Sequence, residues 1–373
     1  MRYSTLLILA LFGAALAGEP QYPLWDGSES VADYAKRVNL PPTKTLDLGS
    51  GVKLELVLIP AGQFMMGTPE PTPVDEDGFH KKIVTGQVLL AVSSGLLLVL
   101  LALVVIKAIR KRQRPKYSLL RLLAITVVAG GCVLSGLHWR KSERDLDRAR
   151  SEYAAAQKRF RIADDYDGAF HNEKPAHYVS LTTPIYMGKC TVTQDQYQAI
   201  LGTNPSYFKG HDKPVETVSW DDAQAFCKKL TAQTKLSVRL PTEAEWEFAC
   251  RAGTTTTYHS GDLVADLAQV AWCSMNSMGA THPVGQKAPN AFGLYDMQGN
   301  VFQWCQDFYK EYEKSDAENP QGPLNGAWHV IRGGSWDVPP YFCRSALRFW
   351  QATGYHIENV GFRVVTEPAS VTP

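Results

Sequence analysis

The sequence predicts an α+β domain, rich in loops and built from short helices and strands, that is interrupted by a two-helix transmembrane hairpin. Three observations carry this. Helix starts are written as capping boxes at Thr193-x-x-Gln196, Ser219-x-x-Asp222 and Thr242-x-x-Glu245, where a hydroxyl takes a free amide and the residue three on reaches back. Strand-like stretches are brief, at 54–59 and 177–181. Two apolar runs, 86–106 and 119–137, are long enough to cross a bilayer. The 373 residues are 45% hydrophobic and 20% charged, which suits a packed core. A net charge of +1 and the lack of a basic, aromatic-laced face exclude nucleic acid as a partner.

Residues 1–17 read as a signal peptide. Arg2 gives the positive start, Leu6 to Leu16 the apolar run, and Ala15-Leu16-Ala17 the small-residue cleavage site. Residues 18–44 follow as a linker and 45–72 as the first part of the main domain. In that part 54–59 forms a strand stopped by Pro60-Ala-Gly62, and Phe64 to Gly67 extends a second. Residues 73–165 are an insertion holding the hairpin. Its connector, 107–116, carries six basic residues and no acid, which places it in the cytoplasm and the main domain on the exported side, periplasmic or extracellular. A polar stalk helix follows at 141–161, with Leu146, Ala149, Tyr153, Ala156 and Phe160 at helical spacing. Similar acidic stretches, Asp75 to His80 and Asp165 to His171, flank the insertion, as expected of a segment spliced into one loop.

The main part runs over 166–368, before a short tail at 369–373. Its first capped helix stops at Gly202, its second near Leu230 and its third near Gly253. Beyond Thr254 the chain is turn-rich, with Pro289-Asn290, Gly293, Gly299-Asn300 and Gly333-Gly334. Six of the seven cysteines lie here, with no CxxC spacing, so no structural zinc site is expected. Glu243, Glu245 and Glu247 suit the start of a helix rather than acid–base chemistry. There is no nucleophile elbow, phosphate loop or dinucleotide fingerprint.

Five blocks carry a family resemblance: Ile59 to Gly67, Pro214 to Trp220, Arg239 to Cys250, Asn290 to Asn300, and Arg332-Gly-Gly-Ser-Trp336 with Gly361-Phe-Arg363. Together they resemble the formylglycine-generating enzymes, also called sulfatase-modifying factors. The resemblance implies a fold related to C-type lectins. It also implies, for catalytic members, two loop cysteines that hold copper(I), a soft ion matched to thiolates. Counted from Trp336, the second cysteine falls on Cys343 and the first on Val338; counted back from Gly361, Arg348 matches the family's arginine and Cys343 sits off the ligand position. One ligand is therefore missing, and copper is not expected. Cys343 has two readings, a disulfide with Cys250 or a lone catalytic thiol. The resemblance further implies a structural calcium ion held by Asp296, Gly299, Val301 and Gln303, although Gln303 stands where the family has an acid.

The function expected is therefore a membrane-anchored, exported domain that binds a protein or small molecule, or serves protein maturation, without copper chemistry. Its binding surface would comprise Trp272, Phe302, Trp304, Trp336, Arg348, Phe349 and Trp350. The alternative is a formylglycine-generating oxidase acting on exported sulfatases, with Cys343 and a second ligand such as Cys273 or Cys305.

Overall fold

A computed structural model describes residues 22–69 and 171–368. The chain divides into two compact units, one from Met1–Pro69 with Gly168–Pro373 and one from Glu70–Asp167. All the described residues lie in the first.

Its strands are short and join three small sheets. β1 (Thr43–Gly49) and β2 (Val52–Ile59) form an antiparallel hairpin. Ser50 and Gly51, both left-handed with φ of 52° and 81°, make its turn. The first sheet runs β1, β2, β5 (Ile185–Gly188), β12 (Val365–Thr366) and β6 (Val238–Arg239). The second joins β3 (Gly62–Met66), β4 (His177–Leu181) and β8 (Ala317–Glu318). The third runs β10 (Arg348–Ala352), β9 (Trp328–Arg332), β7 (Phe302–Phe308) and β11 (Val360–Phe362). Residues from before and after the insertion pair directly: Leu56 lies opposite Gly188 and Phe64 opposite Val179.

Among the described residues five α-helices accompany the sheets. α1 (Val31–Arg37) is capped by Ser30 and buries Tyr34, whose hydroxyl accepts the Ala61 amide at 3.2 Å. The stretch expected as a linker thus belongs to the folded unit. α2 (Gln194–Leu201), α3 (Trp220–Thr234) and α4 (Glu243–Arg251) each begin with the capping box written in the sequence. α3 continues one turn past Leu230, to a left-handed Lys235. α5 (Val264–Val270) starts at Leu263 and has no hydroxyl cap.

Two apolar cores lie between these elements. One packs Phe226 and Leu230 of α3 with Trp304, Leu347 and Phe362. The other surrounds α4 with Phe292, Met297, Cys305 and Val330. Every residue of α4 is buried, so its acids need partners. Glu245 takes both arms of Arg239 at 2.7 Å, Glu243 takes Arg348 at 2.6 and 2.7 Å, and Glu247 holds Arg251 and Arg332.

The architecture is that of a mixed α/β domain, and it corrects the expected fold class in one respect. Among the described residues no helix is long and apolar enough to cross a membrane. The longest, α3, has 15 residues and an exposed polar face. The spans expected at 86–106 and 119–137, the stalk helix and the signal peptide lie outside the described residues. The transmembrane hairpin is therefore withdrawn from the fold, and the membrane localisation with it.

Candidate functional site

The segment that stood out in the sequence connects β9 to β10. These strands pair antiparallel, with Arg332 opposite Arg348, so the residues between them project as one loop. Two left-handed glycines open it, Gly333 at φ 99° and Gly334 at φ 76°. A Cβ on Gly334 would lie 2.5 Å from the Cys343 sulfur, which any real contact forbids. Glycine there lets the start of the loop close over Cys343, which ends a 3₁₀ turn at Pro340–Cys343.

A second segment meets this loop. After α5 the chain turns through Cys273, whose amide donates to Asn276 Oδ1 at 2.9 Å and whose carbonyl accepts the Asn276 and Ser277 amides at 2.9 Å. The turn docks on the loop by Ser274 N to Val338 O at 3.0 Å and by Ser277 Oγ to Trp336 O at 2.7 Å. Cys273 and Cys343 become neighbours, both fully buried among Tyr258, Leu267, Val270 and Ala271, with Val338 packed alongside. Their thiols hydrogen-bond to each other. That bond, helped by the Met275 amide and the charge of Lys287, outweighs burial and brings the Cys273 thiol down to about 6. The Cys343 thiol is pushed well up by the same bond and by burial. The opposite directions of the two shifts favour a thiolate on Cys273 beside a protonated Cys343.

The expected Cys250–Cys343 disulfide is not seen among the described residues. The six described cysteines are all free thiols. Cys250 belongs to the core around α4, where its thiol meets Ser345, whereas Cys343 lies in the separate cluster with Cys273.

The expected aromatic surface is also corrected in part. Trp304, Phe302 and Arg348 are buried, because β7 and β10 are covered by neighbouring elements on the faces these residues occupy. The Trp304 ring nitrogen is spent on Val218 O at 3.0 Å. Trp272, Trp336, Phe349 and Trp350 are half-buried. They do not form one patch: Trp272 stacks on His282 at 3.8 Å, Trp336 meets Phe208 edge-on at 5.1 Å, and Trp350 lies on Tyr309 at 4.2 Å.

The residues assigned to calcium are brought together as a tight turn in which the Gln303 side chain is already engaged. Asp296 accepts the Gly285 amide through Oδ2 at 2.7 Å, and its buried Oδ1 has no hydrogen-bond partner. It is the one carboxylate of the four, since Gly299 and Val301 were expected to offer only backbone carbonyls. Gln303 turns its amide nitrogen to Asp296 O at 2.8 Å, and its oxygen accepts Trp246 Nε1 and Arg363 Nε at 2.8 and 2.7 Å. Arg363 Nη2 also donates to Tyr295 O at 2.8 Å and Asp296 O at 3.3 Å. The carbonyls of Tyr295 and Asp296 thus face N–H donors and a fixed cation. A calcium ion needs six or more oxygens in their place.

A cavity of about 390 Å³ opens elsewhere, lined by Met66, His177, Glu243, Asp307, Tyr312 and Arg348 among others. Asp307 accepts the Glu243 amide at 2.8 Å at the start of α4. Burial, then the charge of Glu243, pushes its carboxyl up to about 8. Sequence reading passed over Asp307, which sits among aromatics and shows no motif of its own.

The sulfatase-modifying factor enzyme 1-like domain profile matches residues 126–368. Chaperone protein LppX of Paenibacillus barcinonensis is 31% identical over 224 residues, covering 45% of this chain and 76% of LppX. The formylglycine-generating enzyme of Mus musculus is 32% identical over 182 residues, covering 44% of this chain and 47% of that enzyme. That of Streptomyces coelicolor is 34% identical over 171 residues, covering 41% and 52%. The chain therefore spans about half the length of these two enzymes. Among solved structures, Treponema denticola variable protein 1 matches with a TM-score of 0.58 and 23% identity, over 88% of this chain and 100% of its own. PvdO from Pseudomonas aeruginosa matches with a TM-score of 0.55 and 22% identity, over 88% and 99%. At such identities the likeness concerns the fold. The profile, by contrast, covers more than half of the sequence and takes in the Gly361-Phe-Arg363 block near its end, and the chain belongs to the sulfatase-modifying factor family of formylglycine-generating-enzyme-like domains.

Proposed function

We propose that this domain serves protein maturation and acts on a cysteine-bearing segment of a partner polypeptide through the Cys273–Cys343 pair. The observation that carries the reading is the contact of these two thiols beside Val338, the position where one register of the family resemblance calls for the first of the two loop cysteines. The loop lacks that sulfur, and a neighbouring turn supplies one. A thiolate hydrogen-bonded to a thiol in an apolar enclosure can take the proton of an incoming cysteine, while Cys343 keeps the charge in place. Relatives named as a chaperone protein and as formylglycine-generating enzymes support a polypeptide partner.

The test is incubation of the full reduced chain with copper(I), oxygen and a peptide bearing the sulfatase motif Cys-x-Pro-x-Arg. An aldehyde on the peptide, lost in both Cys273→Ser and Cys343→Ser, supports the reading. Peptide cysteine left unchanged by folded wild-type protein overturns it. A second reading, a binding module without oxidation chemistry, is favoured by the cavity at Asp307 and Arg348, which is lined by none of the residues of the thiol cluster. Peptide bound without chemical change, with Tyr312→Ala weakening it, is the result that reading requires.

A further inference from the structure

We infer that the cavity at the start of α4 is a binding site for an organic ammonium ion, either a free alkylamine or the side chain of a lysine, with Asp307 as its counter-charge. The inference rests on the binding-module reading, from which it takes only that this cavity binds something, and it owes nothing to the thiol pair.

Asp307 lies on β7, lines the cavity of about 390 Å³ and is 5% exposed. Its Oδ2 accepts the Glu243 amide at 2.8 Å, and its Oδ1 takes no hydrogen bond among the described residues. The loop after β7 closes on it through Gly322, left-handed at φ 66°, where a Cβ would lie 2.8 Å from Asp307 Cβ and 3.0 Å from Oδ1. The cations nearby are already committed. Arg348 gives Nε and Nη2 to Glu243 at 2.7 and 2.6 Å, and Nη1 to the carbonyls of Asn172 and Lys310 at 3.2 and 2.9 Å. Lys310 pairs with Glu313 on the rim. His177 of β4 has Nδ1 at 3.1 Å from Pro175 O and its ring edge-on to Tyr312 at 4.9 Å. Burial first, then Glu243 and Glu245 on α4, pushes the Asp307 carboxyl up to about 8. A buried acid with one free oxygen, facing a cavity and lacking a cation of its own, is completed by a cation from outside.

The class of cation follows from what the cavity offers. A guanidinium fork would find half of its partner spent on the Glu243 amide, whereas an ammonium is a point charge that a single oxygen can hold. A divalent metal ion demands a shell of several oxygens, and Glu243 and Glu313 are held by Arg348 and Lys310. An anion would meet buried acids and no uncommitted guanidinium. Met66, Phe308 and Tyr312, also in the lining, give the methylene stem of an amine an apolar wall. Charge balances as well. The ammonium enters, the Asp307 carboxyl gives its proton to solvent, and a neutral acid becomes a carboxylate paired with a cation, so the net buried charge is unchanged.

The experiment is titration calorimetry of the full chain with n-butylammonium, and with a short lysine peptide beside its Nζ-acetylated counterpart, in two buffers of different ionisation heat. The expected result is one site per chain. Below the folded Asp307 value of about 8, binding should release close to one proton, and affinity should rise up to about tenfold per pH unit toward that value. Asp307→Asn should weaken binding roughly tenfold to a hundredfold and end the proton release. The acetylated peptide should not bind. Butylammonium bound with the lysine peptide excluded assigns the site to a small free amine, and both bound assigns it to a polypeptide side chain. Binding of neither amine overturns the inference, as does an acetylated peptide bound as well as its parent, or amine binding untouched by Asp307→Asn or by pH. The wild-type measurements need no variant, so a misfolded Asp307→Asn does not blunt the test. Peptide held at the cavity without need of its lysine counts against the amine site alone, and amine bound where no peptide is recognised counts against the binding-module reading alone.

Discussion

Glu247 on α4 and Arg332 at the end of β9 form an ion pair in which neither side chain touches solvent. Glu247 also accepts the Gly67 amide at 3.0 Å and Arg251 Nε at 2.8 Å, and Arg332 donates onward to the carbonyls of Ala346 and Leu347. One carboxylate thus ties the end of β3 to the central helix and to the far end of the thiol loop. Removing it leaves two guanidinium groups in the interior without their shared counter-charge. Glu247→Ala is expected to cost about 3–5 kcal/mol, read as a fall in the denaturant midpoint. Burial alone would raise the Glu247 pKa, but Arg251 and Arg332 outweigh it and hold it below its ordinary value. Its contribution is complete above the ordinary glutamate range and fades as pH falls through the folded value.

Thr242 accepts the Glu245 amide at 3.2 Å, and Glu245 reaches back to the Thr242 amide at 2.8 Å while also holding Arg239. Thr242→Ala removes one half of this box. A loss of about 1 kcal/mol is expected in chemical denaturation, with α4 retained by circular dichroism.

That helix start was legible in the sequence because a cap is local: Thr242 and Glu245 find each other within one turn. The same holds for Thr193 with Gln196 and Ser219 with Asp222. β4 was legible from the alternation of His177 to Leu181. β7 was not, because its first four residues are all buried, and no in-out alternation survives along them. Trp304 could then pass for a surface aromatic when it is a core one. α5 also escaped, since its cap is the Leu263 backbone amide on Asp266 at 2.9 Å, with no hydroxyl to announce it.

The site was half legible. The glycines and Cys343 stood out, and so did the absence of a cysteine at 338. The partner sulfur did not, because Cys273 reaches Cys343 only through tertiary bonds from Ser274 and Ser277 to the loop. Sequence offered Cys250, Cys273 and Cys305 as neighbours, and packing chose among them.

Gly334 is the point on which that packing turns. Gly334→Ala puts a methyl group into the Cys343 sulfur and into Phe342 O, 2.9 Å away, at a φ of 76° that alanine tolerates poorly. A destabilisation of about 1–3 kcal/mol is expected. The sharper readout is the thiolate absorbance of the reduced protein. Wild type should gain one thiolate with a midpoint near pH 6, the value to which Cys343 brings Cys273. In Gly334→Ala, and in Cys343→Ala, that midpoint should rise toward ~8.5, the ordinary thiol value. An unmoved midpoint would show that Cys343 does not set the acidity of Cys273.

Asp307 supplies a test of the opposite sign. Its carboxyl is buried beside Glu243, and its folded pKa is raised to about 8 from 3.8. The folded state therefore holds a proton that the unfolded chain releases above the ordinary aspartate range. Stability from this group is complete below pH 4 and is lost as pH rises through about 8. The substitution Asp307→Asn keeps an oxygen for the Glu243 amide and removes the ionisable group. Plotted as the difference between wild type and Asp307→Asn, unfolding free energy should fall steadily for the wild type from pH 4 to pH 8 and level off above. A flat difference across that window would mean that Asp307 titrates alike in the folded and unfolded protein and that burial does not hold its proton.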